Sequence, residues 1–434
     1  MLLLGGCSND GTGDSGQISA VESQETPATV RPVATRTIAP TVTSEEKPGI
    51  DQLAIPTALP PVSTALPTAL PTNTPTPAFP QYQGPPLDRD GLGVQVHIHN
   101  EDMPEIIEHL NMLGVGWVKV QVSWKLYQPD PDRYDQERLT ELDGLINTAQ
   151  ANDIKVLLSV SKAPEWSRPI TDLDGPPLDY ALYGEFMAFL GGRYQGRVAA
   201  YELWNEPNLQ REWSGAPLNA SDFVRLVEAG AAGIRATDPQ AAIVSGAPAV
   251  TGINDGIVAI DDRVYLRAML ESGLVGIVDA VGVHPYGWAN PPDTNFANPD
   301  QSVPSHNDHP SFFFANTIAD YTALLDEFEV IAPLWATEFG WGSFEGINNK
   351  KGTPQPPPAA APFMANVSEQ GQAEYILRAF EIGQELDTLG PMFLWNLNFG
   401  PLLGTQFSES GYSLLRPDGS PRPSYFSLQT AAKN

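Results

Sequence analysis

The chain is predicted to be an α/β protein whose main body is a (β/α)8 barrel preceded by a disordered Thr/Pro-rich tether. Three observations carry this. From about Leu87 onward, short β-rich runs alternate with longer helical patterns eight times. That rhythm is the signature of a parallel sheet whose strands are joined by crossover helices. The runs start apolar and end on polar or aromatic residues, as strands do when they reach the mouth of a barrel. The connecting segments 207–220, 249–261, 287–312 and 341–368 are long for this fold and follow the fourth to seventh runs. Loops of that length are uncommon unless they build a site.

The strand runs are 92–98, 117–124, 155–161, 199–206, 241–249, 280–287, 333–341 and 391–398. Helical patterns fill 104–113, 137–151, 180–195, 221–236, 262–272, 313–329, 369–387 and 423–432. Ser221 and Ser368 are suitable N-caps. A doubly wound open sheet is the competing architecture. It often opens on a Gly-rich first turn, and "HIHNEDMPE" after the first run has none.

The domain plan has three parts: 1–7, 8–86 and 87–434. "MLLLGGC" resembles the end of a bacterial lipoprotein signal, with Leu4-Gly5-Gly6-Cys7 as the lipobox and Cys7 as the lipidated residue. The apolar run is short and no basic stretch precedes it, so a truncated signal remnant is expected. Residues 8–86 are rich in Thr, Ser, Pro and Ala. "PTALPPVSTALPTALPTNTPTPAFP" favours extended polyproline II and cannot build a core. Together these predict a surface-displayed or secreted protein, tied to a membrane only through the lipid.

The formal net charge is −28, from 24 basic and 52 acidic residues. Such a surface repels phosphate backbones, so nucleic acid is not an expected partner. A neutral polysaccharide remains compatible. Cys7 is the single cysteine, which excludes an intrachain disulfide and a zinc–thiolate site.

The C-terminal ends of the runs supply the chemistry. They carry His97 and His99; Ser123 and Trp124; Ser161 and Lys162; Asn205 and Glu206; Ala247; His284 and Tyr286; Glu338 and Trp341; and Trp395, Asn396 and Asn398. Two carboxylates stand out, Glu206 after the fourth run and Glu338 in the seventh, expected to face each other across the mouth. A carboxylate pair can cleave a glycosidic bond: one protonates the leaving oxygen while the other attacks or stabilises the anomeric centre.

"WNEPN" (Trp204–Asn208) and "ATEFGW" (Ala336–Trp341) resemble the acid/base and nucleophile motifs of glycoside hydrolase clan A, retaining enzymes built on (β/α)8 barrels. "WVKVQVSWKLYQPDPDRYD" and "APEWS" are similar to its family 39-type and family 5-type branches. The resemblance implies hydrolysis of β-linked sugars without cofactor or metal. It makes Glu206 the acid/base and Glu338 the nucleophile. It places Asn205 on the sugar 2-hydroxyl, His284 and Tyr286 on nucleophile and sugar, and Trp395 under the sugar ring. An acid/base of this kind should keep a raised pKa beside the second, ionised carboxylate. Pro207 should end strand pairing and let Glu206 project from the rim.

Strand two carries Lys119 and Gln121 where those branches often have arginine and aspartate. Glu202, Trp204 and Glu206 should share one strand face. Glu202 and Lys119 then either form a buried pair beneath the site or are separately hydrogen-bonded. Trp124, Trp166, Trp213, Trp288 and Trp341 could line the cleft, Trp213 and Trp288 foremost; Trp117 and Trp335 belong to the core. His97 is either a polar group near the sugar or a structural histidine. Two other classes stay open. His97, His99, His284 and Glu206 could form an incomplete amidohydrolase-type metal set, or the barrel could bind carbohydrate without turning it over.

Overall fold

The computed structural model describes Phe79 and residues 82–434. The expected signal remnant at 1–7, with Cys7, and most of the expected tether at 8–86 lie outside the described residues. Eight parallel strands are present: β1 (Leu92–Val96), β2 (Trp117–Ser123), β3 (Lys155–Ser161), β4 (Ala200–Leu203), β5 (Ala242–Ser245), β6 (Val281–Val283), β7 (Leu334–Phe339) and β8 (Leu389–Leu394). Neighbours pair in the order β5-β4-β3-β2-β1-β8-β7-β6. The ring closes where Val244 of β5 bridges Ala280, just before β6. The main helices between and after the strands are α1 (Met103–Leu113), α2 (Gln136–Ala151), α3 (Tyr180–Tyr194), α4 (Ala220–Thr237), α5 (Asp262–Glu271), α6 (Phe314–Glu327), α7 (Glu369–Glu385) and α8 (Pro423–Thr430).

Periodicity explains these helices. α1 buries Ile106, Ile107, Leu110 and Leu113, one stripe of a 3.6-residue repeat, and stops at Gly114 with φ 67°. α7 opens as expected on Ser368, whose hydroxyl accepts from the Gly371 amide. The cap of α4 is Asn219 rather than Ser221, with the side-chain oxygen accepting from the Asp222 amide. The body starts slightly before Leu87: Phe79 stacks on Phe426 at 4.4 Å, and Gln384 holds the Asp88 amide at 3.1 Å. Among the described residues no helix is long and apolar enough to cross a membrane.

The barrel interior changes character along its axis. Trp117, Leu157, Ala200, Val244, Ala280, Trp335 and Phe393 fill its floor, with the Trp117 and Trp335 rings edge-on at 5.3 Å. One step up each strand the inward residues turn polar: Gln95 beside Lys119, and Ser159 beside Glu202. Burial is complete in both layers, so the polar layer must satisfy itself internally.

The strand ends depart from expectation. β4 stops at Leu203, four residues short of Pro207, so the proline is not what ends pairing. Trp204 takes φ 80° and Glu206 φ 46°, left-handed values that cost a non-glycine residue about 1–2 kcal/mol each. The kink also breaks strand alternation. Trp204 therefore leaves the face it was expected to share with Glu202 and Glu206. Its ring lies between Tyr183 and Trp213, at 5.8 and 5.5 Å, and its Nε1 donates to the Glu212 carbonyl at 3.2 Å. Burial of the indole offsets the backbone strain. Gly246 makes the kink possible, because a Cβ there would sit 2.7 Å from the carbonyl oxygens of both Leu203 and Trp204. Gly246→Ala should therefore cost about 1–3 kcal/mol in urea denaturation. It should also lower activity, because the Glu206 amide donates to the adjacent Ala247 carbonyl at 3.1 Å.

Candidate active site

Lys119 is a fully buried ammonium in the middle of β2. It donates to the Thr337 carbonyl at 3.0 Å and to Glu338 Oε1 at 3.2 Å. Glu202 Oε2 lies 3.0 Å away, held by charge without an aligned hydrogen bond. The expected buried pair of Lys119 and Glu202 thus exists, and it extends to Glu338. Burial alone would strip the proton from Lys119, but the two carboxylates outweigh it and push its pKa up. Burial pushes Glu338 up as well. The Lys119 charge, followed by His284, overcomes that and leaves Glu338 below the usual carboxylate range. Tyr286 donates its hydroxyl to Glu338 Oε2 at 3.1 Å. Gln95 completes the cradle, with its amide turned so that nitrogen meets Glu338 Oε1 and oxygen accepts from Trp395 Nε1, both at 3.2 Å.

Glu206 stands on the kink after β4. His284 Nδ1 is 3.3 Å from its Oε1, and Arg211 Nη2 is 2.7 Å from its Oε2. Burial pushes this carboxyl up, but the His284 hydrogen bond and the Arg211 charge dominate and hold it down to about 2. The raised value expected for an acid/base is therefore not found in the empty site. The physical reason is Arg211, a loop cation for which strand-end reasoning makes no provision.

The two carboxylates are close. Glu206, Glu338 and His284 each offer one atom within 4.8 Å of the others. Their strands were expected to lie opposite one another and do not; β4 and β7 are three positions apart, with β5 and β6 between. That arrangement lets the end of β6 serve both, His284 on Glu206 and Tyr286 on Glu338. Such a trio could in principle bind a metal ion. Here Lys119 and Arg211 already contact the carboxylates as cations, which disfavours a divalent ion electrostatically. His97 and His99 take no part in that trio.

The remaining expected residues divide. Asn205 is buried, and its Oδ1 has no hydrogen-bond partner. Trp395 packs edge-on against Tyr286 and Tyr412, at 6.4 and 5.3 Å. Asn398 clamps the His97 backbone at both amide and carbonyl, while the His97 imidazole meets the His99 carbonyl at 3.1 Å. Trp124 was expected in the cleft but is fully buried, stacked on Phe186 at 5.2 Å, with Nε1 on Gln128. Trp341 is likewise fully buried, with Nε1 on the Asn290 carbonyl and its ring against Phe314. Trp213 packs between Trp204 and Phe223, and Trp288 stacks on His306 at 4.4 Å. In each case an aromatic pocket behind the strands or within a loop offered more apolar contact than the mouth. Gln95, Tyr412, Arg211 and Glu212 were missed. Only Gln95 carried a signal, as one amide inside an otherwise apolar strand.

An eight-stranded parallel barrel with a cradled carboxylate pair at the strand ends defines a glycoside hydrolase of the (β/α)8 type. The family model described as cellulase, glycosyl hydrolase family 5, matches residues 83–352, more than half of the sequence. The chain belongs to this family. Among solved structures it is similar to a family 39 glycoside hydrolase from the gut symbiont Bacteroides cellulosilyticus WH2. The TM-score is 0.59 and the identity 19%, over 80% of this chain and 64% of that one. A glucosidase from Croceicoccus marinus gives 0.54 and 16%, over 80% and 68%. An exo-beta-1,4-mannosidase from Opitutaceae bacterium strain TAV5 gives 0.51 and 15%, over 81% and 60%. These likenesses show the fold. The chain spans less than two thirds of the first and last of these proteins. No curated protein sequence matches it.

Lys119→Met should destabilise the protein by about 3–5 kcal/mol in chemical denaturation, since it leaves Glu202 and Glu338 buried without their cation. Adding Glu202→Gln should recover much of that stability.

Proposed function

We propose that the chain is a retaining glycosidase that cleaves β-linked oligo- or polysaccharides through a covalent intermediate. The observation that carries this is the approach of Glu206 and Glu338 to within 4.8 Å. Inverting enzymes hold their carboxylates about 6.5–9.5 Å apart to admit a water; retaining enzymes hold them at about 5–5.5 Å. Glu338 attacks the anomeric carbon as the glycosidic C–O bond breaks, and Glu206 gives its proton to the leaving oxygen. Glu206 then takes a proton from a water, which cleaves the glycosyl ester and releases Glu338. Lys119, Tyr286 and Gln95 aim the nucleophile. The unpartnered Asn205 Oδ1 is an acceptor suited to a sugar hydroxyl, and Trp395 offers an apolar face to the C–H side of the ring.

Glu338→Gln should abolish hydrolysis of an aryl β-glycoside. Glu206→Ala should lose most turnover and regain part of it with azide on a substrate with an activated leaving group. NMR of the first-formed anomer should show retained configuration; inversion rejects the two-step route, and full activity in Glu338→Gln rejects the nucleophile.

We also propose display at a cell surface through lipid on Cys7, with 8–86 as spacer. The support is the Leu4-Gly5-Gly6-Cys7 pattern and the proline-rich composition behind it. The full chain should sediment with membranes and Cys7→Ser should not; equal partitioning of the two rejects the anchor.

A further inference from the structure

An acid catalyst must hold a proton before it can give one, and the empty site holds Glu206 against a guanidinium. The residue beside that guanidinium offers a way out. Glu212 is 9% exposed, and its Oε2 is buried with no hydrogen-bond partner. It follows Arg211 directly, and both side chains line one cavity of about 400 Å³ with Lys125, Lys162, Arg168 and Asp174. Glu165, Asp172 and Glu409 line it too. Lys125 and Lys162 both contact Asp174, Lys162 at 3.3 Å and Lys125 closer, and Lys162 also lends its charge to Glu212. Arg168 is spent on the Leu173 and Ser214 carbonyls.

We propose that Arg211 is a two-position latch on the acid/base: it sits on Glu206 while the site is empty and turns to Glu212 when a sugar fills the leaving-group side. Arg211 is thus a positioning residue, and Glu212 is its second seat. This rests on the glycosidase reading.

The loop is built for a side-chain movement. The Glu212 carbonyl accepts from Trp204 Nε1 at 3.2 Å, and the Leu209 amide donates to the Glu206 carbonyl at 3.1 Å. Backbone between the kink and Glu212 is therefore pinned, and the Arg211 side chain is a quarter exposed. The two carboxyls also differ in what holds them. Burial pushes the Glu212 carboxyl up, whereas Glu206 is held ionised by His284 and Arg211. When Arg211 moves, its charge leaves Glu206 and reaches Glu212, so the two carboxyls shift in opposite directions. Among the described residues, the other groups facing Glu206 are His284 and Tyr286 from the end of β6 and Glu338 from β7 with Lys119 behind it, while Lys162 beyond β3 faces Glu212. None of them changes partner in this exchange.

The test is a titration of Glu206 by 13C NMR of the glutamate carboxyls in the unliganded full chain, with pH profiles on an aryl β-glycoside. In Arg211→Gln the Glu206 titration should rise by about one pH unit or more, as expected on removing a cation in contact. Arg211→Lys should keep it low, which separates charge from folding. The basic limb of kcat/KM, which reports the free enzyme, should move up with the titration in Arg211→Gln. The basic limb of kcat, which reports the occupied site, should stay. Glu212→Gln removes the second seat, so its kcat should fall off at lower pH than native. An unmoved Glu206 titration in Arg211→Gln, or a pH-independent loss of activity in both variants, overturns the latch. If the native chain cleaves no glycoside, the glycosidase reading fails, and the Glu206 titration still decides whether Arg211 clamps it.

Discussion

One buried ammonium organises the centre of this barrel. Lys119 reaches across the interior from β2 to β7, and its three contacts are a backbone carbonyl and two carboxylates. Removing such a charge from water is costly unless partners compensate, and here the partners are also buried. None of the three can exist without the others: Glu202 and Glu338 would otherwise bury anions in a dry cavity, and Lys119 a cation. The floor beneath them, closed by Trp117, Trp335 and Phe393, excludes water and so strengthens each attraction. Glu338 is thereby held ionised, with Tyr286 and Gln95 fixing its oxygens.

Glu206 is assembled on a different principle. Its strand has already ended, at a tryptophan whose backbone is left-handed and whose ring is captured behind the sheet. Its charge partners come from a histidine two strands away and an arginine on its own loop. Where Glu338 is neutralised by a residue with nowhere else to go, Glu206 is neutralised by one that has an alternative.

The fold was legible because a barrel repeats one unit eight times, and small errors at any boundary do not disturb the count. Glu206 and Glu338 were legible for a related reason: polarity at the end of an apolar run stands out. The kink at Trp204 was not, since alternation assumes an extended chain and a positive φ at tryptophan leaves no compositional mark. The tryptophans misled for a physical cause. A ring near a strand end can fold toward the mouth or back over the helices, and Trp124, Trp213 and Trp341 found deeper apolar pockets behind. Gln95 was visible as an amide among valines, yet a single buried amide points to no particular partner. Arg211 was invisible, because a cation in a polar loop has no periodicity to mark it.

The break in β4 divides the two halves of the chemistry mechanically. Glu338 belongs to a strand laced on both sides into the sheet, so its distance to a sugar carbon is set by the barrel as a whole. Glu206 lies beyond the lacing, on a kinked loop segment held by its own few hydrogen bonds. Sequence drift in the loop after β4 can therefore retune how the protein handles different departing groups while bond-making to the retained sugar stays as it is. Under the proposed mechanism, the capacity to adapt to new aglycones and the capacity to form the covalent bond are carried by separate pieces of backbone.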